Sequence, residues 1–509
     1  MQSLHFHTDP GACLWKTVCH IENGPCGEVS SNTVFDVIGD GAESPLPPLC
    51  HRTSGMMNFI HSPHSLPTLD RHSLIYRQRG VATLKADGRD RLIAVEPESA
   101  SWLLLESPFS DLFVSLESPK PLYEFLDSSP ISAEYAGRFI QDCLRNNLLA
   151  VENQPFLHES SRPAPLPLPE HFVIEFSRQV VQDGRMARES MPTALLQKVL
   201  DEIFSGPDDF LSEITFIYAG PEDRAALEIS VSSFEERMKC GSVMHNMSIE
   251  ASIDCVDESL IDFCAGACMP VRAVVRTAGS HHSIRGSSLS SKALEIQQQS
   301  LERLASLGLL QCAIFEVSSP GDLNQAESLI AGRIVSDVRL DFIPGRRDEE
   351  ADSAAAIVDA LLEMADSLLA RKAGGELRRL PDIEPLSRYL YNICTSSFRN
   401  AHCARHYGAP EGRTVWYEPD GRRIDCRGGG SGSECVFNSD RCSSMDRLEC
   451  RHCMWRNFCA RSCPMTALHC DEEKDLLHCR ISTLLIPRLM CRLERERGLV
   501  QFVHRGACK

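Results

Sequence analysis

The chain has 509 residues, of which 43% are apolar and 24% are charged, and this composition is typical of a folded protein with several domains. Its formal net charge of −18 argues against general nucleic-acid binding, because such proteins need a basic surface to displace counterions. No apolar run reaches the roughly 18 residues of a membrane-spanning helix. The first residues lack the basic start and apolar core of a secretory signal. The sequence therefore predicts a cytoplasmic protein that binds neither nucleic acid nor a membrane.

The first 171 residues divide into three segments by composition. Residues 1–68 are rich in turn formers and predict an irregular arm. Residues 72–156 contain short strand and helix patterns in the order of a small winged-helix-like α+β domain. Within that domain, the apolar spacing of residues 98–116 predicts a helix. The proline-rich segment 159–171 is typical of a semi-rigid linker.

Strand-like and helix-like patterns then alternate over residues 172–386, in six β/α units. The strand patterns include "FVIEF", "EITFIYAG", "VRAVVR" and "LLQCAIFEVS". Such alternation predicts a parallel sheet with outer helices, arranged either as an open barrel or as a doubly wound sheet. In both arrangements functional groups lie at the carboxyl ends of the strands. Residues 387–509 form a separate cysteine-rich domain.

Cysteine usage indicates metal binding in the C-terminal part of the chain. Thirteen of the 23 cysteines lie in the last 116 residues. Without an export signal, metal ligands or buried thiols are expected rather than disulfides. Cys450, Cys453, Cys459 and Cys463 have C-x2-C-x5-C-x3-C spacing, which suits one tetrahedral zinc ion or one iron–sulfur cluster. Four further cysteines supply thiolates for a second site, namely Cys394, Cys403, Cys426 and Cys479.

These cysteines follow a specific order along the chain. Cys403 comes first, and Gly421 is then separated from Cys426 by four residues in the phrase "PDGRRIDC". The four-cysteine run and a further cysteine come after it. This order resembles the SPASM domain of radical SAM peptide-modifying enzymes, which carries two auxiliary [4Fe–4S] clusters. The resemblance implies one cluster on Cys394, Cys403, Cys426 and Cys463, and a second on Cys450, Cys453, Cys459 and Cys479, with Cys470 as the alternative to Cys479.

The six β/α units also resemble the radical SAM core. "EITFIYAGPED" is similar to the second strand of that core, and "VMHNMSIEASIDC" and "VRAVVRTAGSHHSIRGSS" are similar to later ones. The resemblance implies a partial (β/α)6 TIM-like barrel. However, the C-x3-C-x2-C motif that follows the first strand in the family is replaced by "FSRQVVQDGRMARESM", which contains no cysteine. The chain therefore resembles a degenerate member, a pseudoenzyme without assigned catalytic residues, and the loss argues against S-adenosylmethionine as a cofactor.

Radical SAM/SPASM maturases act on short ribosomally made peptides, and many bind the leader as an added strand on a small winged-helix-like domain. Residues 102–116 and 137–153 also resemble N-terminal regions of His-Xaa-Ser-type maturases. The resemblance implies a non-catalytic partner of a radical SAM maturase in ribosomal peptide modification, which binds the precursor peptide, the active enzyme, or both.

Two alternatives stay open at the level of sequence. The first is an active radical SAM peptide-modifying enzyme whose cluster ligands have been reassigned. The second is a zinc-stabilised binding protein. Metal identity separates the zinc protein from the other two hypotheses, and the number of clusters separates the pseudoenzyme from the active enzyme.

Overall fold

The computed structural model describes fourteen segments of the chain. They are residues 51–53, 56–58, 69–86, 91–97, 101–152, 171–182, 185–204, 212–239, 245–276, 291–343, 350–395, 414–425, 453–459 and 472–503. The chain forms two compact units, Met1–His158 and Glu159–Lys509. None of the helices in the described segments is both long enough and apolar enough to cross a membrane.

In its described residues, the N-terminal unit contains two antiparallel sheets and three helices. Its strands are β1 (His51–Thr53), β2 (Met56–Asn58), β3 (Leu74–Arg77), β4 (Ala82–Ala86), β5 (Arg91–Glu96), β6 (Ser101–Glu106), β7 (Lys120–Pro121) and β8 (Leu149–Val151). Its helices are α1 (Phe109–Ser115), α2 (Leu122–Ser128) and α3 (Ala133–Arg145). The larger sheet has the order β1-β2-β6-β5-β4, and the smaller has the order β7-β3-β8. Within one apolar core, the ring of Phe139 stacks on Phe125 and meets Phe109 at a tilt.

Two sequence expectations fail in this unit. The helix predicted over residues 98–116 is wrong for Ser101–Glu106, which forms strand β6 between β2 and β5. Its side chains are buried on both faces of the sheet, and a short apolar run of that kind cannot be distinguished from a buried helix by its period. Residues 51–58, predicted as part of an irregular arm, include the β1–β2 hairpin instead. Three-residue strands are too short to show a pattern in sequence.

The second unit alternates strands and helices, as the sequence predicts. Its strands are β9 (His171–Glu175), β10 (Ser177–Gln182), β11 (Arg185–Ser190), β12 (Ser212–Tyr218), β13 (His245–Ser252), β14 (Val271–Val275), β15 (Leu310–Val317), β16 (Asp337–Phe342), β17 (Asp382–Glu384), β18 (Thr414–Tyr417) and β19 (Arg423–Asp425). Its helices are α4 (Thr193–Phe204), α5 (Arg224–Lys239), α6 (Glu258–Gly266), α7 (Ser291–Ser306), α8 (Pro320–Ala331), α9 (Glu350–Ala373), α10 (Leu386–Thr395), α11 (Arg456–Cys459) and α12 (Glu472–Arg495).

The main sheet has nine strands in the order β17-β16-β15-β14-β13-β12-β9-β18-β19. Every pair of neighbouring strands in this sheet is parallel, except that β18 and β19 are antiparallel to each other. From β9 to β17 each crossover moves one step in the same direction. Because such crossovers are right-handed, helices that connect strands in this way lie on one face of the sheet. The parallel α/β sheet predicted from the sequence is confirmed, and its singly wound order excludes the doubly wound alternative.

The two faces of this sheet differ in chemistry. Strand partners on one face are apolar, such as Phe172, Ile214 and Ile249. Side chains on the opposite face are largely polar, and His171, Glu175, Thr215, Ser248, Glu250, Arg272, Glu316, Arg339, Asp341 and Glu384 belong to it. A helix-covered sheet must bury its apolar face under the helices. The polar face is therefore the inner one, as in a barrel.

Strands β18 and β19 come from the part of the chain that the sequence assigns to the cysteine-rich domain. Strand β18 pairs in parallel with β9, with Trp416 opposite Val173. Helix α12 also packs against α9, where Arg492 is ion-paired with Asp366. The C-terminal region thus contributes two strands to the edge of the main sheet.

Candidate functional site

The carboxyl end of β9 leads directly into a β-hairpin. Strands β10 and β11 pair from Ser177 opposite Ser190 to Gln182 opposite Arg185. Both strands lie within the segment from Phe176 to Met191, in which the sequence resemblance expects three cluster-binding cysteines. A regular antiparallel hairpin thus begins at the strand end where parallel α/β folds place functional groups.

Arg188 on the hairpin is the centre of a hydrogen-bonded ion-pair network. It donates to Ser177 Oγ at 2.7 and 3.0 Å, to Asp223 Oδ1 at 2.9 Å and to Glu222 Oε2 at 2.8 Å. Asp223, which is 3% exposed, also accepts bonds from Ser177 Oγ at 3.1 Å and from the backbone N–H of Ala219 at 2.8 Å. The network joins the hairpin to the loop after β12 and satisfies both oxygens of the buried carboxylate.

A second arginine attaches the hairpin to the other neighbour of β9. Arg178 pairs with Glu189 across the hairpin at 2.9 Å and with Glu418 at the end of β18 at 3.0 Å. Burial tends to raise the pKa of Glu418, but bonds from Arg422 and Arg178 lower it overall. Glu418 is thus held as a buried carboxylate between two guanidinium groups. The hairpin is therefore fastened on both sides of β9.

The thiol of Cys255 lies close to this network. Its Sγ lies 3.5 Å from the carbonyl oxygen of Ala219. Burial, followed by the neighbouring Asp254 carboxylate, raises the pKa of this thiol, while Arg276 and Arg188 oppose the rise. Since the thiolate is the reactive and metal-binding form, Cys255 is a protonated side chain at neutral pH rather than a nucleophile.

The inner face of the sheet carries further buried ion pairs. Arg272 donates to Thr215 Oγ1 at 3.2 Å and pairs with Glu213. Burial and then Arg272 lower the pKa of His171, whose Nε2 lies 3.0 Å from Thr215 Oγ1. Across the sheet, Arg339 binds both oxygens of Asp341, at 2.7 and 2.6 Å. Among the described residues, no group of three or more His, Cys, Asp or Glu side chains could hold a single metal ion.

The structure describes half of the eight cysteines that the sequence singles out. Cys394 is buried in α10, Cys453 precedes α11, Cys459 is the last residue of α11, and Cys479 lies on the exposed side of α12. Cys403, Cys426, Cys450 and Cys463 lie outside the described residues. The structure therefore describes only part of the predicted ligand set.

Three of these thiols lie close enough to influence one another. Burial raises the pKa of Cys459 to about 11, and the thiols of Cys479 and Cys453 add to the rise. A hydrogen bond with Ser482 and the charge of Arg388 act in the opposite direction. Cys453, Cys459 and Cys479 are three of the four residues in one predicted ligand set, and they come from two separate places in the sequence.

Helix α10 supplies the polar surroundings of Cys459. Asn392 donates to the backbone carbonyl of Phe458 at 3.1 Å, and the hydroxyl of Tyr389 lies 2.8 Å from Ser482 Oγ. Arg388 is buried, and its Nε has no hydrogen-bond partner among the described residues. Arg388 is thus a buried cation whose charge opposes the rise in the pKa of the Cys459 thiol.

Sequence reasoning does not find the charged residues of either region. Arg188, Asp223, Glu384 and Arg388 each stand in an ordinary amphipathic or loop context. The sole available signal is at Tyr218–Glu222, where the resemblance marks an altered ligand-binding stretch immediately before Asp223. The partners of Arg188 are remote in sequence, and the i,i+4 spacing of Glu384 and Arg388 does not by itself show that this pair is buried.

No protein family and no curated protein sequence matches this chain. Among solved structures, it is similar to anSMEcpe with bound AdoMet, at 12% identity and a TM-score of 0.45 over 66% of this chain and 100% of that one. It is also similar to native anSMEcpe with bound AdoMet and Cp18Cys peptide, at 12% identity and a TM-score of 0.44 over 64% of this chain and 99% of that one. A third similar structure is Streptococcus suis SuiB bound to precursor peptide SuiA, at 10% identity and a TM-score of 0.36 over 79% of this chain and 98% of that one. At these values the similarity assigns no function.

Proposed function

We propose that this protein is an iron–sulfur-binding, non-catalytic partner of a radical SAM peptide maturase, and that it binds the precursor peptide, the active enzyme, or both. One observation carries the proposal. The end of β9, where the resemblance expects three cluster-binding thiolates, is a cysteine-free hairpin that Arg188 ties to Glu222 and Asp223. Reductive cleavage of S-adenosylmethionine needs a cluster with an open iron, and this hairpin offers no thiolate for one.

The metal-binding part of the proposal is supported by the C-x2-C-x5-C-x3-C spacing of Cys450, Cys453, Cys459 and Cys463, and by the electrostatic influence of Cys453 and Cys479 on the Cys459 thiol. With Cys450 they would hold one [4Fe–4S] cluster, and Cys394, Cys403, Cys426 and Cys463 would hold the other. Once bound, a fully ligated cluster crosslinks the chain and transfers single electrons. In this chain, the thiols of the first set would connect α11 to α12, with α10 packed against both.

The peptide-binding part of the proposal concerns the N-terminal unit. Strand β4 is at the edge of the larger sheet, and strands β7 and β8 are at the edges of the smaller one, counting the strands in the described residues. An exposed strand edge presents backbone N–H and C=O groups that an extended peptide can pair with. We assign the leader-binding role to this unit, residues 72–156.

The test is a metal analysis after strictly anaerobic purification. We expect about eight irons and eight sulfides per chain, since two clusters of four are proposed, and no zinc. Incubation with S-adenosylmethionine and a reductant should release no 5′-deoxyadenosine. About twelve irons, with an electron paramagnetic resonance signal that changes on addition of S-adenosylmethionine, would establish the active-enzyme alternative. Zinc without iron would establish the zinc-stabilised alternative.

The partner role is tested with a radical SAM maturase and its precursor peptide. Deoxyadenosine release and peptide modification are measured for the maturase alone and with this protein added. We expect modification to increase only when both proteins are present. A double variant in which Cys453 and Cys459 are serine serves as a control that keeps the N-terminal unit intact. Equal modification with and without this protein would refute the partner role.

A further inference from the structure

A small cavity opens beside the amino ends of β16 and β17, at the opposite end of the strands from the hairpin. Its volume is about 160 Å³. Four buried side chains form its apolar wall, namely Ile330, Val335, Leu377 and Pro381. An apolar cavity of about 150 Å³ holds a benzene-sized group. This cavity therefore has room for one phenyl ring or one branched apolar side chain.

The cavity lies where α8 and α9 end and the chain turns into the next strand. Both helix ends are closed by the backbone that follows them. The N–H of Arg333 donates to the carbonyl of Ile330 at 2.9 Å, and the N–H of Gly374 donates to the carbonyl of Ala370 at 2.8 Å. Arginines near a helix C-terminus commonly bind its last carbonyl groups. Here the backbone satisfies these carbonyls, so helix capping does not account for the arginines that follow.

Three arginines line the mouth of the cavity, and none of the described residues that line it is acidic. Arg333 is fixed across the mouth by a hydrogen bond to the carbonyl oxygen of Glu376. Arg379 is 70% exposed, and its Nη2 lies 3.9 Å from Asp337 Oδ2. Arg378 is exposed and has neither an ion pair nor a hydrogen bond to any described residue. In a chain of net charge −18, this mouth is thus locally positive.

We propose that the cavity binds a carboxylate attached to an apolar side chain, with the apolar group inside and the carboxylate on Arg378 and Arg379. A guanidinium group matches the two oxygens of a carboxylate, and such charge-assisted hydrogen bonds are the strong ones. An N-acylated apolar amino acid has this chemistry, and so does the C-terminal residue of a peptide. The inference does not depend on the proposed function, because no cysteine lines the cavity.

The ligand test is isothermal titration calorimetry of the intact chain with three matched probes. N-acetylphenylalanine carries both the ring and the carboxylate, and we expect saturable binding of one equivalent. Its neutral amide lacks the charge, and N-acetylglycine lacks the ring. Each should bind at least about tenfold more weakly, because the first loses the charge-assisted bonds and the second loses the buried apolar area.

The protein test compares two arginines at the same corner of the fold. Arg378→Gln removes a lining cation that has no partner among the described residues, so it should leave the fold intact and weaken binding of N-acetylphenylalanine about fivefold. Adding Arg379→Gln should extend the loss beyond about tenfold. Arg371→Gln is the matched control, because Arg371 pairs with the exposed Glu376 at 3.0 Å and does not line the cavity. It should bind as the wild type does.

The position of the bound probe is tested by methyl nuclear magnetic resonance of the same intact chain. Ile330, Val335 and Leu377 carry the methyl groups of the cavity wall. A phenyl ring in the cavity shifts these methyl resonances through its ring current. We expect the largest shifts at these three residues, and saturation at the concentration that calorimetry gives.

The outcomes decide the proposal and the source of the ligand. Equal binding of N-acetylphenylalanine and N-acetyl-Gly-Gly-Phe supports the proposal with a free amino-acid derivative as a sufficient ligand, and binding of the peptide alone supports it with a peptide C-terminus as the ligand. No binding of either up to about 10 mM overturns it. Equal binding of acid and amide, equal effects of Arg378→Gln and Arg371→Gln, or methyl shifts elsewhere also overturn it.

Discussion

Replacing Arg188 by methionine removes the cation that links the hairpin to the loop after β12. Asp223 is 3% exposed and would stay in place with its bonds from Ser177 Oγ and from the N–H of Ala219. The substitution therefore leaves a buried carboxylate that is hydrogen-bonded but has lost its cation. The exposed partner, Glu222, returns to solvent without penalty because its side chain is 67% exposed.

The expected loss of stability follows from this burial. Removing one partner of a fully buried ion pair costs about 3–5 kcal/mol. Arg188 is 30% exposed, so its pair is partly screened, and the two remaining hydrogen bonds still stabilise the carboxylate. We therefore expect Arg188→Met to lower the free energy of unfolding by about 2 kcal/mol. Glu222→Gln breaks only the exposed pair and should cost under about 1 kcal/mol.

The assay is urea unfolding of the intact chain, followed by tryptophan fluorescence. Trp416 reports on this region, because it lies on β18 and its Nε1 donates to Glu175 at 3.4 Å. Adding Asp223→Asn to Arg188→Met removes the unpaired charge and should restore stability to within about 1 kcal/mol of wild type. If Arg188→Met costs no more than Glu222→Gln, the hairpin is not held by the buried pair and the reasoning is refuted.

Three further predictions address Glu384, Gly421 and Cys459. Burial raises the pKa of Glu384 from 4.5 to about 7, against the opposing charge of Arg388. Between these two pH values the folded state holds a proton that the unfolded state has lost, so the free energy of unfolding falls as the pH rises from 4.5 to about 7. Glu384→Gln should reduce the dependence of the unfolding free energy on pH by about 1 kcal/mol per pH unit in urea unfolding. An unchanged pH dependence would contradict the raised pKa of Glu384. Gly421 has φ of 82°, and a Cβ there would lie 2.7 Å from Leu195 Cδ1, so Gly421→Ala should cost about 2 kcal/mol in thermal or urea unfolding. Gly375 has a similar φ of 78° with open space around it, so Gly375→Ala should cost about 1 kcal/mol. If the two substitutions cost the same, the contact with Leu195 does not contribute to the loss of stability. Cys459→Ser should reduce iron content by about half, from eight to four per chain, and full retention would remove Cys459 from the ligand set.

The alternation of strands and helices in the second unit was predictable from sequence, because each element carries its own period. Strand β15 lies in the apolar segment "LLQCAIFEVS", of which Cys312–Phe315 is a continuous buried run, and α9 is long and amphipathic enough to exclude a strand. The predictions failed where an element was short or its apolar run was ambiguous. Strand β6 was mistaken for a helix, and β17 and β19 are three residues each, so no pattern marks them.

The candidate sites divide in the same way. Spacing within one short segment predicts that Cys453 and Cys459 are ligands of a common group. The absence of cysteine from residues 176–191 can likewise be read directly from the sequence. Charged residues such as Arg188 carry no comparable signal. Their importance depends on burial and on which opposite charge they meet, and neither property is local.

The sequence by itself thus determined the class of fold, the order of its elements, the cysteine-rich C-terminal region and the loss of the cluster motif, since each follows from local period, spacing or residue type. Only the tertiary structure decided that the sheet is singly wound, that β18 joins β9, and that Arg188 meets Asp223. These features join residues separated by tens to hundreds of positions, and such pairings depend on how the sheet orders its strands.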